Sequence, residues 1–348
     1  MRSNPQFAIR TPTAASSQKA LLAMTQYYGM DISILIVSWN VRDLLRKCLA
    51  SVAGSKFKVQ SSTLEPRTLN LELVVVDNAS SDGTVEMVRA EFPGVRVIAN
   101  TENAGFTRAN NQALAVAQGR YLFLLNPDTE LRAGALQTLY EYAETHPRVG
   151  IIGPQLFYGD GSHQSSRRRF PTLATAFLES TKLQQWFPRN RALTRYYILD
   201  TRDDATQVVD WVNGAAMFVQ RAVYDQIGGL DEGFFMYSEE LDWCYRAKQA
   251  GWQIVYLPTA QVTHYEGKSS EQVVAQRDIH FHSSKVRFFR KTRGAFVAEI
   301  LRVFLLLMFV YQIAEEATKW LLGHKREMRA ARVKAYWQVV KSRLEIGD

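Results

Sequence analysis

Asp77, Asp128, the cluster Glu239, Glu240 and Asp242, and His264 are the side chains whose types and places along the chain could do chemistry. Asp77 closes the apolar run VVV and opens NASSDG, so its carboxylate stands at the end of a strand, where it can accept the imide N–H of uracil or thymine. The position equally suits a turn or capping aspartate, because Ser80, Ser81 and Asp82 are ordinary helix-start residues. Asp128 follows Asn126 and Pro127 directly after an apolar strand. Pro127 breaks the chain there and places an acid where a divalent cation could bridge to a diphosphate, and Mg²⁺-type sites need only one or two carboxylates beside phosphate oxygens. Plain turn chemistry also produces Asn-Pro-Asp.

Glu239, Glu240 and Asp242 lie in FFMYSEELDWCYR, at the start of a helix. Acids in a first turn are favoured by the helix dipole, and Asp242 with Arg246 has the i,i+4 spacing of an ion pair. The cluster also follows Phe234, Phe235, Met236 and Tyr237, and a carboxylate beside apolar groups has a raised pKa suited to general-base work. His264, in VTHYEG, is a candidate metal ligand or diphosphate donor, or simply a satisfied polar residue.

The elements that position these groups follow from the spacing of apolar runs. From Asp31 short apolar runs alternate with amphipathic stretches, the pattern of parallel βαβ units. Strands are expected at Ile32–Val37, Leu71–Val76, Val95–Ala99, Tyr121–Leu125, Val149–Ile152, Ala216–Val219 and Gln253–Leu257. Helices are expected at Val41–Val52, Ser81–Phe92, Thr107–Ala117, Ala133–Thr145, around Leu173–Trp186, and at Glu239–Ala250. The polar stretch from Gly54 to Asn70 reads as an extended surface loop. The basic run Arg167, Arg168, Arg169 reads as a solvated loop or as a grip for a phosphate-bearing lipid. In such a sheet the loops at the carboxyl ends of strands converge on the ligand crevice. Ser38-Trp39-Asn40, Asp77-Asn78 and Asn126-Pro127-Asp128 all fall at such ends.

Composition bounds the rest. At 348 residues and 47% hydrophobic content the chain can fill a sizeable core. Cys48 and Cys244 are the two cysteines, far apart and inside helical patterns, so no disulfide framework or CxxC site is expected and a reducing compartment fits. Residues 1–284 carry 28 basic and 28 acidic side chains, whereas residues 285–348 carry 14 and 6, so the tail supplies the whole net charge of +8. A basic tail on a neutral body points to a polyanionic surface. Within it Val303–Tyr311 is an apolar run of nine residues, about half of the ~20 that a spanning helix needs. Phe304, Leu307, Met308 and Tyr311 share a helical face between basic clusters (Arg287, Arg290, Lys291, Arg293; Lys325, Arg326, Arg329, Arg332, Lys334). That suits either an interfacial helix on an anionic membrane or a core helix packed on the main domain. No recognition motif accompanies the charge, so nucleic acid is not an expected partner. Residues 1–30 lack a signal-peptide pattern and read as a flexible leader.

In this order, ISILIVSWN, VVVDNASSDGT, NAGFTRANNQAL, YLFLLNPDTEL, WVNGAAMFVQRAVYDQIGGLDEGFFMYSEELDWCYRAKQAGW and VTHYEGKSS cover residues 31–270 and resemble family 2 glycosyltransferases, especially the rhamnosyltransferase-like branch. The resemblance implies a GT-A-type α/β fold, a Rossmann-like, mostly parallel sheet flanked by helices. With the charge count, the chain reads as a domain over 31–284, with a nucleotide-binding half (31–152) and an acceptor half (153–284), followed by a basic helical tail over 285–348. The resemblance also implies Trp39 near the nucleobase and Asp77 bonded to it, Asn103, Gly105 and Asn110 around the ribose and diphosphate, and Ser38 and Asn40 among the substrate-binding residues. Asp128 takes the last position of the family's DXD-type metal site for Mg²⁺ or Mn²⁺, with Asn126 replacing the first acid and His264 as a further metal or diphosphate contact. Gly214 belongs to the donor-sugar and acceptor loop. Glu240 stands where the family has its catalytic base, an aspartate, with Glu239 and Asp242 as alternatives.

The implied reaction is an inverting, metal-dependent transfer from a dTDP- or UDP-linked sugar, rhamnose included, to a glycan or lipid-linked acceptor at the cytoplasmic face of a membrane. A rival of another class is a catalytically silent nucleotide-binding assembly partner, suggested by the Asn126 and Glu240 departures. A nucleotidyltransferase would need a glycine-rich phosphate loop, and SWNVRDLLRK has no glycine.

Overall fold

The computed structural model describes residues 29–55, 58–59, 67–179, 181–265, 274–323 and 325–344. The leader expected over 1–30, except its last two residues, lies outside the described residues, as do much of the 54–70 loop and the end of VTHYEGKSS.

The strands are β1 (Met30–Ser38), β2 (Lys58–Val59), β3 (Arg67–Thr68), β4 (Leu71–Asp77), β5 (Arg96–Ala99), β6 (Gly119–Leu125), β7 (Thr129–Leu131), β8 (Val149–Phe157), β9 (His163–Gln164), β10 (Arg167–Arg168), β11 (Gln207–Val209), β12 (Trp211–Val212), β13 (Ala216–Gln220) and β14 (Gln253–His264). The main sheet runs β11-β14-β8-β13-β6-β1-β4-β5. Its β5-β4-β1-β6 part is wholly parallel, β13 is inserted antiparallel between β6 and β8, and β14 is parallel to β8. Strand order reverses direction at β1 and β6, the switch point where doubly wound sheets open a crevice.

Helices cover both faces, which is why the strands are apolar on both sides. Along β1, Ile32, Ile34 and Ile36 face a cluster with Leu45 and Cys48 of the helix Arg42–Ala53 and Leu136 and Leu139 of the helix Ala135–Thr145. Leu35 and Val37 face a second cluster with Ala109 and Ala113 of the helix Phe106–Val116 and Trp243, Cys244 and Ala247 of the helix Glu239–Gln249.

The structure departs from the sequence reading in several places. The expected loop after Gly54 carries a small hairpin, β2 with β3. β8 and β14 run well beyond Ile152 and Leu257. Pro154 pairs with Leu257, and a register shift follows between Leu257 and Gln261, so the prolines sit at an irregularity inside long strands instead of ending them. The arginine run is not a solvated loop: Arg167 and Arg168 form β10 against β12. Arg167 is buried, donates to the carbonyls of Ile198 and Thr201, and lies over the Tyr256 ring, so it is not free to grip a phosphate.

The tail forms helices Val274–Arg293, Ala295–Leu321 and Arg326–Lys341, so the boundary read at 284/285 falls inside the first of them. Part of its positive charge is committed inward: Arg287 and Lys291 pair with Asp231, Lys291 also with Asp242, and Arg329 with Glu316.

Candidate active site

Parallel strand register places the nucleotide-side groups together. Ser38 and Asp77 are direct neighbours at the ends of β1 and β4. Asp77 is buried; one oxygen accepts the Ser80 N–H at 2.9 Å and the other, Oδ1, has no partner, as is true of the Ser38 hydroxyl. Asp77 therefore fills the turn role with one oxygen and keeps a desolvated acceptor with the other. Asn40, at φ 51°, accepts the Ser81 N–H at 2.8 Å and ties the first crevice loop to the second. Trp39 is half-buried beside it.

The NAG turn is locked onto the same wall. Asn78 donates to the Gly105 carbonyl at 3.1 Å, and Asn103 accepts the Gly105 N–H at 3.0 Å. Gly105 has φ +85°, and a Cβ there would lie 2.7 Å from the Phe235 ring, so no side chain fits. The Phe106 N–H donates to the Phe235 carbonyl at 3.0 Å, fastening the loop before Glu239 to the nucleotide side. Asn110 is buried and donates to the Phe106 carbonyl one turn back, so its amide nitrogen braces the helix.

Short β7 brings the two candidate cation ligands together. It pairs Thr129 with His264 at the end of β14, and His264 Nε2 lies 3.4 Å from Asp128 Oδ1, both residues buried. His264 Nδ1 is 3.0 Å from Gln164 Oε1; with Nδ1–H donating there, Nε2 presents a lone pair to Asp128. Two acceptors facing each other call for a proton or a cation between them. The spacing suits adjacent ligands of one cation, since metal–ligand bonds of about 2.1 Å put neighbours about 3 Å apart. Asn126 Oδ1 is a third buried acceptor with no partner. Among the described residues no group of three or more His, Cys, Asp or Glu gathers, so a cation here would be completed by diphosphate oxygens and water.

The acids of the SEEL turn separate by environment. Tyr237 and Ser238 both have positive φ, 69° and 65°, turning the chain sharply into the helix that begins at Glu239. Asp242 is buried but occupied, bonded to Arg246 at 2.8 Å and Lys291 at 2.6 Å. Its environment is that of a structural ion pair, and it offers no free oxygen for a base. Glu239 and Glu240 each keep an oxygen without a partner. Burial, and then the charge of Glu240, hold the Glu239 carboxyl well above the usual range. Burial raises Glu240 as well, opposed by nearby N–H groups and the Arg168 charge. The two carboxyls therefore titrate as one coupled pair, both raised by burial, with the Arg168 charge and nearby N–H groups opposing the shift at Glu240. Gly214 lies against Glu240: a Cβ there would be 3.3 Å from the Glu240 Cβ.

This arrangement puts a buried acceptor without a partner at Asp77, the close Asp128–His264 pair and, on the helix against Gly214, the Glu240 carboxyl near the carboxyl ends of the central strands. Sequence reasoning missed Gln164, a hundred residues from the histidine it orients, and Lys291, which occupies Asp242. The Glycosyl transferase family 2 profile matches residues 33–245, which takes in every one of these groups except Arg246, His264 and Lys291. The chain belongs to glycosyl transferase family 2.

Relatives of this glycosyltransferase agree. N-acetylglucosaminyl-diphospho-decaprenol L-rhamnosyltransferase of Mycobacterium tuberculosis (strain ATCC 25618 / H37Rv) is 30% identical over 229 residues, 63% of this chain and 74% of that one. Rhamnosyltransferase WbbL of Escherichia coli (strain K12) is 27% identical over 243 residues, 67% of this chain and 83% of that one. Among solved structures, mannosyltransferase PcManGT from Pyrobaculum calidifontis in complex with GDP-Man and Mn²⁺ is similar at a TM-score of 0.51 with 17% identity, covering 95% of this chain and 94% of that one. At that identity the likeness bears on the fold alone, which is GT-A.

Proposed function

We propose that this glycosyltransferase moves a sugar, rhamnose being the first candidate, from a dTDP- or UDP-linked donor to a lipid-linked or polysaccharide acceptor at the cytoplasmic face of a membrane, with inversion at the anomeric carbon. The observation that carries the reading is the row of buried acceptors without partners: Asp77 Oδ1 at the end of β4, Ser38 Oγ at the end of β1, Asn126 Oδ1 after β6, and Glu240 Oε2 against the Gly214 turn that leads into β13. Neighbouring strands are about 4.8 Å apart, so the row spans roughly 14 Å, room for base, diphosphate and sugar in that order. Asp77 reads the imide edge shared by uracil and thymine, which leaves both donor classes. Rhamnose rests on the names of the relatives.

Asp128 and His264 would hold a divalent cation, Mg²⁺ or Mn²⁺, with Asn126 within the same turn. When bound, such an ion offsets charge on the departing diphosphate. Glu240 takes the proton from an acceptor hydroxyl as that oxygen bonds to the anomeric carbon. The bond from that carbon to the phosphate oxygen breaks with its electron pair on the diphosphate, and attack from the opposite face inverts the configuration. Glu239 and Glu240 share a buried, coupled environment in which a second negative charge is disfavoured.

Nucleoside diphosphate release from dTDP-rhamnose and a set of UDP-sugars, measured with polyprenyl-diphosphate-linked N-acetylglucosamine as acceptor, tests this reading. Acceptor-stimulated release from dTDP-rhamnose is expected. Release from a UDP-sugar alone would reassign the sugar, and no turnover of any donor by nucleotide-binding protein would favour a silent binding partner.

A further inference from the structure

The helix Ala295–Leu321 is long and apolar enough to cross a membrane, yet the fold ties it down along its side. Its inner face, Ala298, Leu301, Leu305 and Phe309, is buried in one cluster with Phe234, Val286 and Phe289. Groups from the glycosyltransferase body meet it repeatedly: Phe177 packs edge-on to Phe304, Trp186 edge-on to Tyr311, and Lys182 pairs with Glu315 at 2.9 Å. These anchors cover about 16 Å of helix. Glu316 is further held by a buried pair with Arg329. Crossing a bilayer would strip all of these contacts.

The outer face is different. Phe296, Ile300, Val303, Leu307 and Val310 form an exposed stripe at helical spacing, with Phe296 at 79% and Leu307 at 62% exposure. Beside it, at the Trp186–Tyr311 contact, Trp186 and Phe187 project from the body at 54% and 57% exposure. Exposed Arg189, Arg191 and Arg195 adjoin that corner, and exposed Arg290, Arg293, Lys325, Arg326 and Lys334 flank the helix. Two copies of this chain pairing through the stripe would bring these like charges together, whereas an anionic lipid surface complements them.

We infer that the outer stripe of this helix and the Trp186-Phe187 corner form one monotopic membrane-binding surface, inserted into a single anionic leaflet with the helix lying in its plane. The aromatic corner supplies the amphipathic side chains favoured at the headgroup level. The surface is fixed relative to the active site: Ser284 of the helix Val274–Arg293 donates to the Met236 carbonyl at 2.8 Å, and His280 stacks on Phe235, so the loop leading to Glu239 and Glu240 is braced by the element that leads into the membrane helix. This inference rests on the membrane-face part of the proposed function and specifies how the face is met.

Cys48 and Cys244 are buried, so single cysteines introduced at exposed positions can be labelled with an environment-sensitive fluorophore. The full chain carrying Phe187→Cys, Leu307→Cys or, as a control on the exposed side of another helix, Glu141→Cys would be mixed with vesicles of phosphatidylcholine alone or with phosphatidylglycerol. Labels at 187 and 307 should shift blue and be quenched by shallowly brominated lipid, with the control unchanged. Trp186→Ala with Phe187→Ala should weaken binding to the anionic vesicles by about tenfold or more. Three results would overturn the inference: vesicle binding indifferent to the Trp186 and Phe187 changes; a label at 307 quenched only from the bilayer centre, as for a spanning helix; or no vesicle binding with Leu307→Glu converting a dimer to a monomer. Titration of dTDP into the same proteins separates the two readings, because failed nucleotide binding by the wild type would defeat the proposed function and leave the membrane surface standing.

Discussion

Glu240→Gln should lower sugar transfer by roughly 10²–10⁴-fold while leaving nucleoside diphosphate affinity unchanged, the loss typical of removing a general base. Glutamine keeps the shape of the side chain against Gly214 and loses only the ability to take a proton. Burial raises the Glu240 carboxyl, so the acid limb of the wild-type pH–rate profile should lie above the ordinary glutamate range, with activity rising as pH carries Glu240 into its ionised form. Glu239→Gln should keep much of the activity, because it leaves the Glu240 carboxylate against Gly214 in place and removes the neighbouring charge that raises the pair. The stability consequence has a definite sign. Both carboxyls hold protons more tightly in the folded chain, so their contribution is full below the unfolded glutamate pKa and fades as pH rises through the raised folded values. Glu239→Gln should therefore raise Tm more in alkaline than in mildly acidic buffer, by a few degrees. Full turnover by Glu240→Gln would remove it as the base and reopen the site to Glu239.

Asp128→Ala is expected to cut turnover by about a hundredfold or more and to abolish the response of nucleotide binding to Mn²⁺, since it removes the only acid at the His264 cradle among the described residues. His264→Ala should give a smaller loss of the same kind, and Gln164→Ala a still smaller one of about tenfold in cation affinity, through release of the imidazole. Metal titrations followed by nucleotide release check all three. An Asp128→Ala enzyme with wild-type cation dependence would place the ion elsewhere.

How much of this was legible in the sequence differs by element. Asp77 and Ser38 could be read because they end apolar runs, and parallel pairing makes such ends converge; their side-by-side register adds detail to that rule. Asp128 and His264 could each be picked out, but their approach depends on β7 pairing with the far end of β14, and the prolines in β8 and β14 hid how long those strands are. Asp242 shows a mixed outcome: its Arg246 partner followed from i,i+4 spacing, whereas Lys291 arrives from the C-terminal helices and no local pattern announces it. Arg167 looks like surface charge because burial of its guanidinium is paid for by carbonyls distant in sequence. The apolar length of the helix Ala295–Leu321 was underestimated for a related reason. Glu299 and Arg302 interrupt the apolar count in sequence, yet on the helix they pair with each other at one side and leave the stripe continuous.

The central claim is that Asp77 and the Asp128–His264 pair together form a cation-assisted site for a pyrimidine nucleoside diphosphate. Calorimetric titration of dTDP and of UDP into the full chain, with Mn²⁺ and then with EDTA, tests it most directly. The account predicts binding that needs the cation and weakens by about tenfold to a hundredfold in Asp77→Ala, the usual cost of losing a buried hydrogen bond partner. Folded protein that binds neither nucleotide, or binds one equally well in EDTA and in Asp77→Ala, would contradict it.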